Sequence, residues 1–314
     1  MRIVFCGTPE FAVPTLRRLI AEPGMTVEAV VTQPDRPKGR GQELASSAVK
    51  EAALKAGIHV YQPEKIKSDS AHDFFKRVRP DVVVILAYGQ IVPMRLIEIS
   101  RLGWVNLHGS LLPAYRGAAP ANWAIANGET RTGLTTMQID AGMDTGPILL
   151  QQEMEIGPEE TAPELLARMA EAGAPLMVET LRGLERGEIK PQAQDSSKAS
   201  LAPMLKKEDG RIDWSLSAQQ IYNRMRGFAP WPGAYTSFRG QMCQVWGRQA
   251  EGAPANCAGD PGTLHVTERE LRVTCGLKSW LWVDEVQLEG RKRVSAREFA
   301  NGARLKAGER FGKE

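Results

Sequence analysis

Val105-Asn106-Leu107-His108-Gly109-Ser110-Leu111-Leu112-Pro113-Ala114-Tyr115-Arg116-Gly117 is the stretch from which the rest of this chain can be read. Its apolar start has the character of a strand. Its exit through Gly109 and a turn ending in Pro113 suits a ligand-facing loop at the carboxyl edge of a sheet. Side chains on a strand alternate faces, so Asn106 and His108 project the same way. One offers an amide N–H, the other an imidazole able to move a proton. An oxyanion donor beside an acid–base group is what group transfer at a carbonyl carbon requires.

On the amino-terminal side, apolar runs at residues 3–6, 27–31, 82–86 and 104–107 alternate with amphipathic stretches at 15–21, 47–56, 71–78 and 93–99. Strands alternating with crossover helices predict an α/β fold, a Rossmann-like doubly wound parallel sheet. The first turn, Gly7-Thr8-Pro9, is not Gly-x-Gly-x-x-Gly, so no dinucleotide is inferred. Residues 33–44 form a polar connection carrying Arg36, Lys38 and Arg40 among glycines and prolines. It is long for a strand-to-helix connection.

Beyond the quoted stretch, residues 161–187 are helical in pattern, with Leu165, Leu166, Met169, Met177 and Leu181 on one apolar face. The methionines there are expected in the core rather than in a site. Periodicity is lost over 188–205, which reads as an interdomain linker. After a short helix at 218–226, alternating runs at 235–239, 242–247, 262–266, 271–274 and 280–287 predict a small, OB-fold-like β-barrel. The expected division is therefore a first domain over 1–188, a linker over 189–206 and a second domain over 207–314.

The 314 residues carry 40 Lys and Arg against 37 Asp and Glu, a net charge of +3. The excess of base lies after Lys207, a weak pointer to a polyanionic partner. There is no long uncharged apolar run to span a membrane. The start, Met1-Arg2-Ile3-Val4-Phe5-Cys6, lacks the features of a signal peptide. Cys6, Cys243, Cys257 and Cys275 are widely spaced, with no Cys-x-x-Cys, and fit a reducing cytoplasm. The four histidines form no cluster at ligand spacing, so no metal is expected. His59, His72 and His265 have no such companions as His108 and are expected to be bystanders.

Asn106-x-His108-Gly109-Ser110-Leu111-Leu112-Pro113, followed by Arg116-Gly117-Ala118-Ala119-Pro120, resembles the signature of the 10-formyltetrahydrofolate-dependent formyltransferases. Asp140-Ala141-Gly142-Met143-Asp144-Thr145-Gly146-Pro147 resembles the Asp loop of the same family. The opening Gly7-Thr8-Pro9-Glu10-Phe11-Ala12, Thr32-Gln33-Pro34-Asp35-Arg36-Pro37 and Pro230-Trp231-Pro232-Gly233 are similar to the members that act on initiator tRNA. The resemblance runs nearly end to end.

It implies transfer of the formyl group of 10-formyltetrahydrofolate, as cosubstrate, to the α-amine of methionyl initiator tRNA in the cytoplasm, by a monomer without metal. It implies that Asn106 donates to the formyl oxygen. His108 would shuttle a proton or act as a second, cationic oxyanion donor. Asp144 would pair with His108 and orient its ring, with Asp140 the competing carboxylate. Ser110, Leu111, Leu112 and Pro113 match a folate-contacting loop, and Gly89 and Ile91 would wall the same cleft. Arg36, Lys38 and Arg40 match a loop that engages the acceptor end, with Arg40 in the key position. Lys206 and Lys207 match contacts to the acceptor arm.

Two alternatives stay open on the sequence. A formyltransferase acting on a small-molecule amine needs no basic inserted loop. A non-catalytic RNA-binding protein would use the barrel, but interleaved aromatics are not evident in the sequence.

Overall fold

The computed structural model describes residues 1–38, 43–249, 259–267 and 270–312. Two compact units emerge: Met1–Pro120 with Arg131–Glu155 and Glu164–Pro203, and Ala121–Thr130 with Ile156–Pro163 and Met204–Glu314.

In chain order the first stretch carries β1 (Arg2–Gly7), α1 (Val13–Ala21), β2 (Thr26–Val31), β3 (Arg36–Lys38), β4 (Glu43–Ala45), α2 (Ala48–Lys55), β5 (Val60–Tyr61) and α3 (Asp69–Val78). Then come β6 (Val82–Leu86), α4 (Met94–Ile97), β7 (Trp104–His108), α5 (Pro120–Ala126), β8 (Arg131–Gln138), β9 (Ile148–Glu155) and α6 (Ala162–Glu185). One seven-stranded sheet has the order β5-β2-β1-β6-β7-β8-β9. From β5 to β7 neighbouring strands are parallel. Every residue of β6 is buried, as a central parallel strand covered on both faces should be. Helices start where side chains cap them: Ser47 accepts from Lys50 N–H at α2 and Ser68 from Ala71 N–H at α3. Phe74 and Phe75 of α3 pack with Trp104 of β7 in one apolar cluster against the sheet.

The sheet is mixed rather than wholly parallel. β8 pairs antiparallel with β7, and β9 with β8. The expected strand pattern omits both for a physical reason. In β8 the buried positions include Thr132, Thr135 and Thr136, whose polarity breaks an apolar run. The Thr135 and Thr136 hydroxyls are satisfied internally, Thr135 on Ser110 O and Thr136 in a 2.8 Å contact with Thr180. β9 lies at the edge and exposes half of its residues.

Within residues 33–45, β3 pairs antiparallel with β4 in the register Arg36↔Ala45 and Pro37↔Leu44. Lys50 and Gln62 donate to the Asp35 carboxylate at the base of this pair. The sequence expectation for Arg40 falls outside the described residues. In α6, Leu165, Met169, Met177 and Leu181 are fully buried.

Residues 188–203 are laced onto the first unit. Gln192 and Ile148 exchange two backbone hydrogen bonds of 2.8 Å. Arg116 N–H donates to Ser200 O at 2.8 Å, and Ala202 N–H to Arg116 O at 2.7 Å.

The second unit holds α7 (Ala218–Gly227), β10 (Tyr235–Phe238), β11 (Gln241–Gln249), β12 (Leu264–Val266), β13 (Leu271–Cys275), β14 (Ser279–Leu288), β15 (Val294–Ser295) and α8 (Ala296–Ala303). Its antiparallel sheet runs β10-β11-β14-β13-β12, with β15 on β14. Trp214, Phe238, Phe299 and Phe311 join Val245, Val273 and Leu281 in its core. Among the described residues no helix is long and apolar enough to cross a membrane.

Candidate active site

β7 delivers Asn106 and His108 to the carboxyl edge of the sheet. Its register places Asn106 beside Ile85 of β6 and Met137 of β8, and His108 beside Thr135. Asn106 is half-buried, and among the described residues nothing bonds its amide.

His108 is 6% exposed. Its Nε2–H donates to Tyr115 O at 2.9 Å. Its Nδ1 lies 3.6 Å from Asp144 Oδ2. That is beyond hydrogen-bond length and well within Coulombic reach. The carbonyl holds the proton on Nε2, which leaves Nδ1 facing the carboxylate.

Asp144 reaches this position from a left-handed backbone, φ 54°, and such residues are costly unless held in place. The holding bonds are visible. Gly117 N–H donates to Asp144 Oδ2 at 2.8 Å. Gly117 itself has φ 125°, and a Cβ there would meet Ala202 O at 2.5 Å. Gln194 Nε2 donates to Asp144 O at 2.9 Å and to Gly146 O at 2.7 Å. Asp140, the other carboxylate, turns back on its own loop, accepting from Gly142 N–H and the Thr145 hydroxyl. The structure thus brings Asp144 rather than Asp140 to the histidine.

The loop after β7 is braced from beneath. Ser110 is fully buried, its hydroxyl donating to Ala114 O at 2.7 Å. Thr135 Oγ1 donates to Ser110 O and accepts from Leu112 N–H. Gln151 Nε2 donates to Leu112 O at 2.9 Å. Leu112 is 3% exposed, whereas Leu111 and Pro113 are half-buried. After β6, Gly89 has φ 89° and Ile91 is 91% exposed. Arg116 is buried at 7%, and Gln194 Oε1 accepts from its Nε and Nη2. It is a structural arginine. Gln194 carries no motif signal and escapes sequence reasoning.

A cleft of about 520 Å³ opens at the carboxyl ends of β1, β2 and β6, bordered by Thr8, Gln33, Arg36, Ser47, Ala87 and Gly89. A larger one, about 1190 Å³, belongs to the second unit and has no histidine among its lining residues. Arg36 is exposed. Lys206 and Lys207 are exposed at a short helical turn, which Asp209 caps through Lys206 N–H. Arg226 is instead a buried brace, donating to Gly157 O and Glu160 O.

The absence of interleaved aromatics needs correction. Arg293 lies over Trp246 at 3.9 Å, and Arg248 over Trp282 at 4.5 Å. The sequence hides this because the partners sit on different strands. Each arginine is also paired, with Glu285 and Asp284 respectively, so the face carries little free charge.

The Formyl transferase family model matches residues 1–181, and the Formyl transferase, C-terminal domain model matches 204–304. The chain is 54% identical over 312 residues to a methionyl-tRNA formyltransferase of Solibacter usitatus, covering 99% of each. It is 50% identical over 313 residues to that of Acidobacterium capsulatum, covering 99% of this chain and all of the other. An N-formyltransferase from Helicobacter canadensis, solved with folinic acid and dTDP-3-aminofucose, shares the fold at a TM-score of 0.65 and 18% identity. The match covers 93% of this chain and 99% of that one.

Proposed function

The chain belongs to the formyl transferase family, and from that membership and the site geometry we infer that it is a transferase placing a formyl group on the α-amine of methionyl initiator tRNA. The observation that carries the chemistry is His108 held between Tyr115 O and Asp144 Oδ2, with Asn106 two residues back on the same strand. The acceptor is inferred from end-to-end similarity to methionyl-tRNA formyltransferases. Formylation of this tRNA serves translation initiation.

The donor is 10-formyltetrahydrofolate, which supplies an electrophilic formyl carbon. Ile91, an apolar side chain left in solvent, and the half-buried Leu111 and Pro113 fit the face of a flat ring. Gly89, in a conformation that disfavours other residues, leaves the chain bare there. Ser110 and Leu112 act by shaping the loop from within.

Asn106 donates its free amide N–H to the formyl oxygen as negative charge grows there. Loss of one such donor typically costs about 3–4 kcal/mol. His108 Nδ1 takes the proton that the attacking amine must lose, since Nε2 already holds its own, and returns it to N10 as the N10–formyl bond breaks and tetrahydrofolate leaves. Asp144 stabilises the resulting imidazolium and fixes the ring. Arg36, Lys38 and Arg40 of the 33–44 connection, with Lys206 and Lys207, are the residues we assign to tRNA phosphates. The protein acts as a monomer in the cytoplasm on this reading.

Incubation with 10-formyltetrahydrofolate and methionyl initiator tRNA tests it directly. Formyl-methionyl-tRNA is the expected product. Formylation of an amino-sugar nucleotide or glycinamide ribonucleotide in its place overturns the acceptor assignment, and no transfer to any amine overturns the enzyme.

A further inference from the structure

The arginine–tryptophan face of the second unit is neutralised by its own carboxylates. Gln194, in contrast, has every polar atom committed. Its Nε2 spends both hydrogens on Asp144 O and Gly146 O, at 2.9 and 2.7 Å. Its Oε1 takes both bonds from the buried Arg116, at 3.0 and 2.7 Å. We propose that Gln194 is a positioning residue for the transfer step, clamping together the two loops that hold His108.

Those loops meet the two ring nitrogens from opposite sides. The loop bearing Arg116 supplies Tyr115 O to Nε2, and it supplies Gly117 N–H to the Asp144 carboxylate. The other loop supplies that carboxylate to Nδ1, from a backbone at φ 54°. The Gln194 side chain bonds to both. Its grip on Asp144 O and Gly146 O brackets the strained residue and offsets the cost of its conformation. Arg116 in turn is pinned through its backbone to Ser200 and Ala202. The clamp therefore belongs to the segment that sequence alone treats as a linker.

The chemistry demands an amide at this position. One end faces two carbonyl oxygens and needs two donors. The other faces a guanidinium and needs an acceptor with two lone pairs. A glutamate matches the size and pairs with Arg116, but it puts an oxygen against Asp144 O and Gly146 O. A methionine matches the length and satisfies neither end. Displacing Asp144 by even about 1 Å is enough to cost roughly 100-fold in rate.

The proposal rests on the formyl-transfer reading, and its test separates the two. Gln194→Glu and Gln194→Met are compared with the unaltered full-length protein in two measurements. In the first, ¹⁵N NMR of His108 without substrate reads the tautomer and its pH titration. In the second, kcat and KM are measured for methionyl-tRNA and 10-formyltetrahydrofolate across pH. The expected result is a changed His108 titration in both variants, with kcat lower by about 10–100-fold and both KM values within about twofold. The acidic limb of the pH–rate profile should move with the NMR titration. An unchanged His108 titration overturns the proposal whatever the activity. So does a fall in kcat that follows thermal stability and leaves the pH profile unmoved. Should Gln194→Glu fail to fold, the Gln194→Met protein alone decides by the same criteria. A wild-type protein that transfers no formyl group defeats the functional reading and leaves the NMR coupling to be judged separately.

Discussion

His108 Nδ1 and Asp144 Oδ2 lie 3.6 Å apart, with the ring's other nitrogen bonded to Tyr115 O and the carboxylate's Oδ2 bonded to Gly117 N–H. The pair is thus held by backbone on both sides. Neither partner is free to swing away, and the histidine is nearly sealed from solvent. This preorganisation suits a group that must accept charge during the reaction without rearranging.

Substitution at this centre should act on the chemical step. Asn106→Ala should lower kcat by about 10²–10³-fold while both substrates still bind. His108→Ala should be at least as severe. Asp144→Asn keeps the shape of the side chain but removes its charge, and should fall between wild type and His108→Ala. Single-turnover formylation with equilibrium binding measured separately checks this. Near-normal turnover by His108→Ala would remove the site.

The lacing of residues 192–202 onto the first unit predicts where the chain can be cut. A fragment ending at residue 203 should fold and bind folate. One ending at residue 188 loses the Gln192–Ile148 pair, the Arg116–Ser200–Ala202 bonds and Gln194. At about 0.5–1.5 kcal/mol per hydrogen bond, it should be less stable by roughly 3 kcal/mol or more. Urea unfolding of the two fragments measures the difference, and equal midpoints would show the segment to be a mere tether.

Charge removal over residues 36–40 should separate tRNA binding from folate binding. Arg36→Ala, Lys38→Ala and Arg40→Ala should each raise KM for methionyl-tRNA. Each lost phosphate contact should lower the salt slope of binding by about 0.7–0.9. Arg40→Ala is expected to be the worst. The base of the β3–β4 pair adds a pH test. Hydrogen bonds from Lys50 and then Gln62 hold the Asp35 carboxyl below its ordinary range. The contribution of this anchor is present above the unfolded value of about 3.9 and is lost as pH falls through the lower folded value. Asp35→Asn should therefore mimic acid by loosening the β3–β4 pair, seen as a raised KM for tRNA at neutral pH.

Three thiols should be silent in the native protein. Cys6, Cys243 and Cys275 are buried thiols outside any disulfide among the described residues. Burial pushes Cys6 well above the usual thiol range and Cys243 up to about 12. Because the folded values are raised, their contribution to stability is complete below about pH 8.5, and for Cys243 it declines as pH rises towards about 12. Iodoacetamide at pH 8 followed by peptide mass spectrometry should find these three unmodified until denaturant is added. Rapid labelling of Cys243 in the native state would contradict the packing around it.

The sequence by itself determined the alternation of strands and helices, the strand carrying Asn106 and His108, and the motifs that point to formyl transfer. Those features are local. Apolar periodicity, glycine-rich turns and residues two apart on a strand are all contained within a few positions. Tertiary structure decided what depends on partners distant in the chain. β8 escapes a pattern search because its buried threonines are satisfied only once Thr180 and the Ser110 loop are in place. The choice of Asp144 over Asp140 comes from a left-handed backbone that Gly117 and Gln194 hold. Gln194 itself lies in a stretch without periodicity. Its importance arises from an amide's two donors and two lone pairs meeting two carbonyls and a guanidinium, a coincidence that exists only in the folded chain.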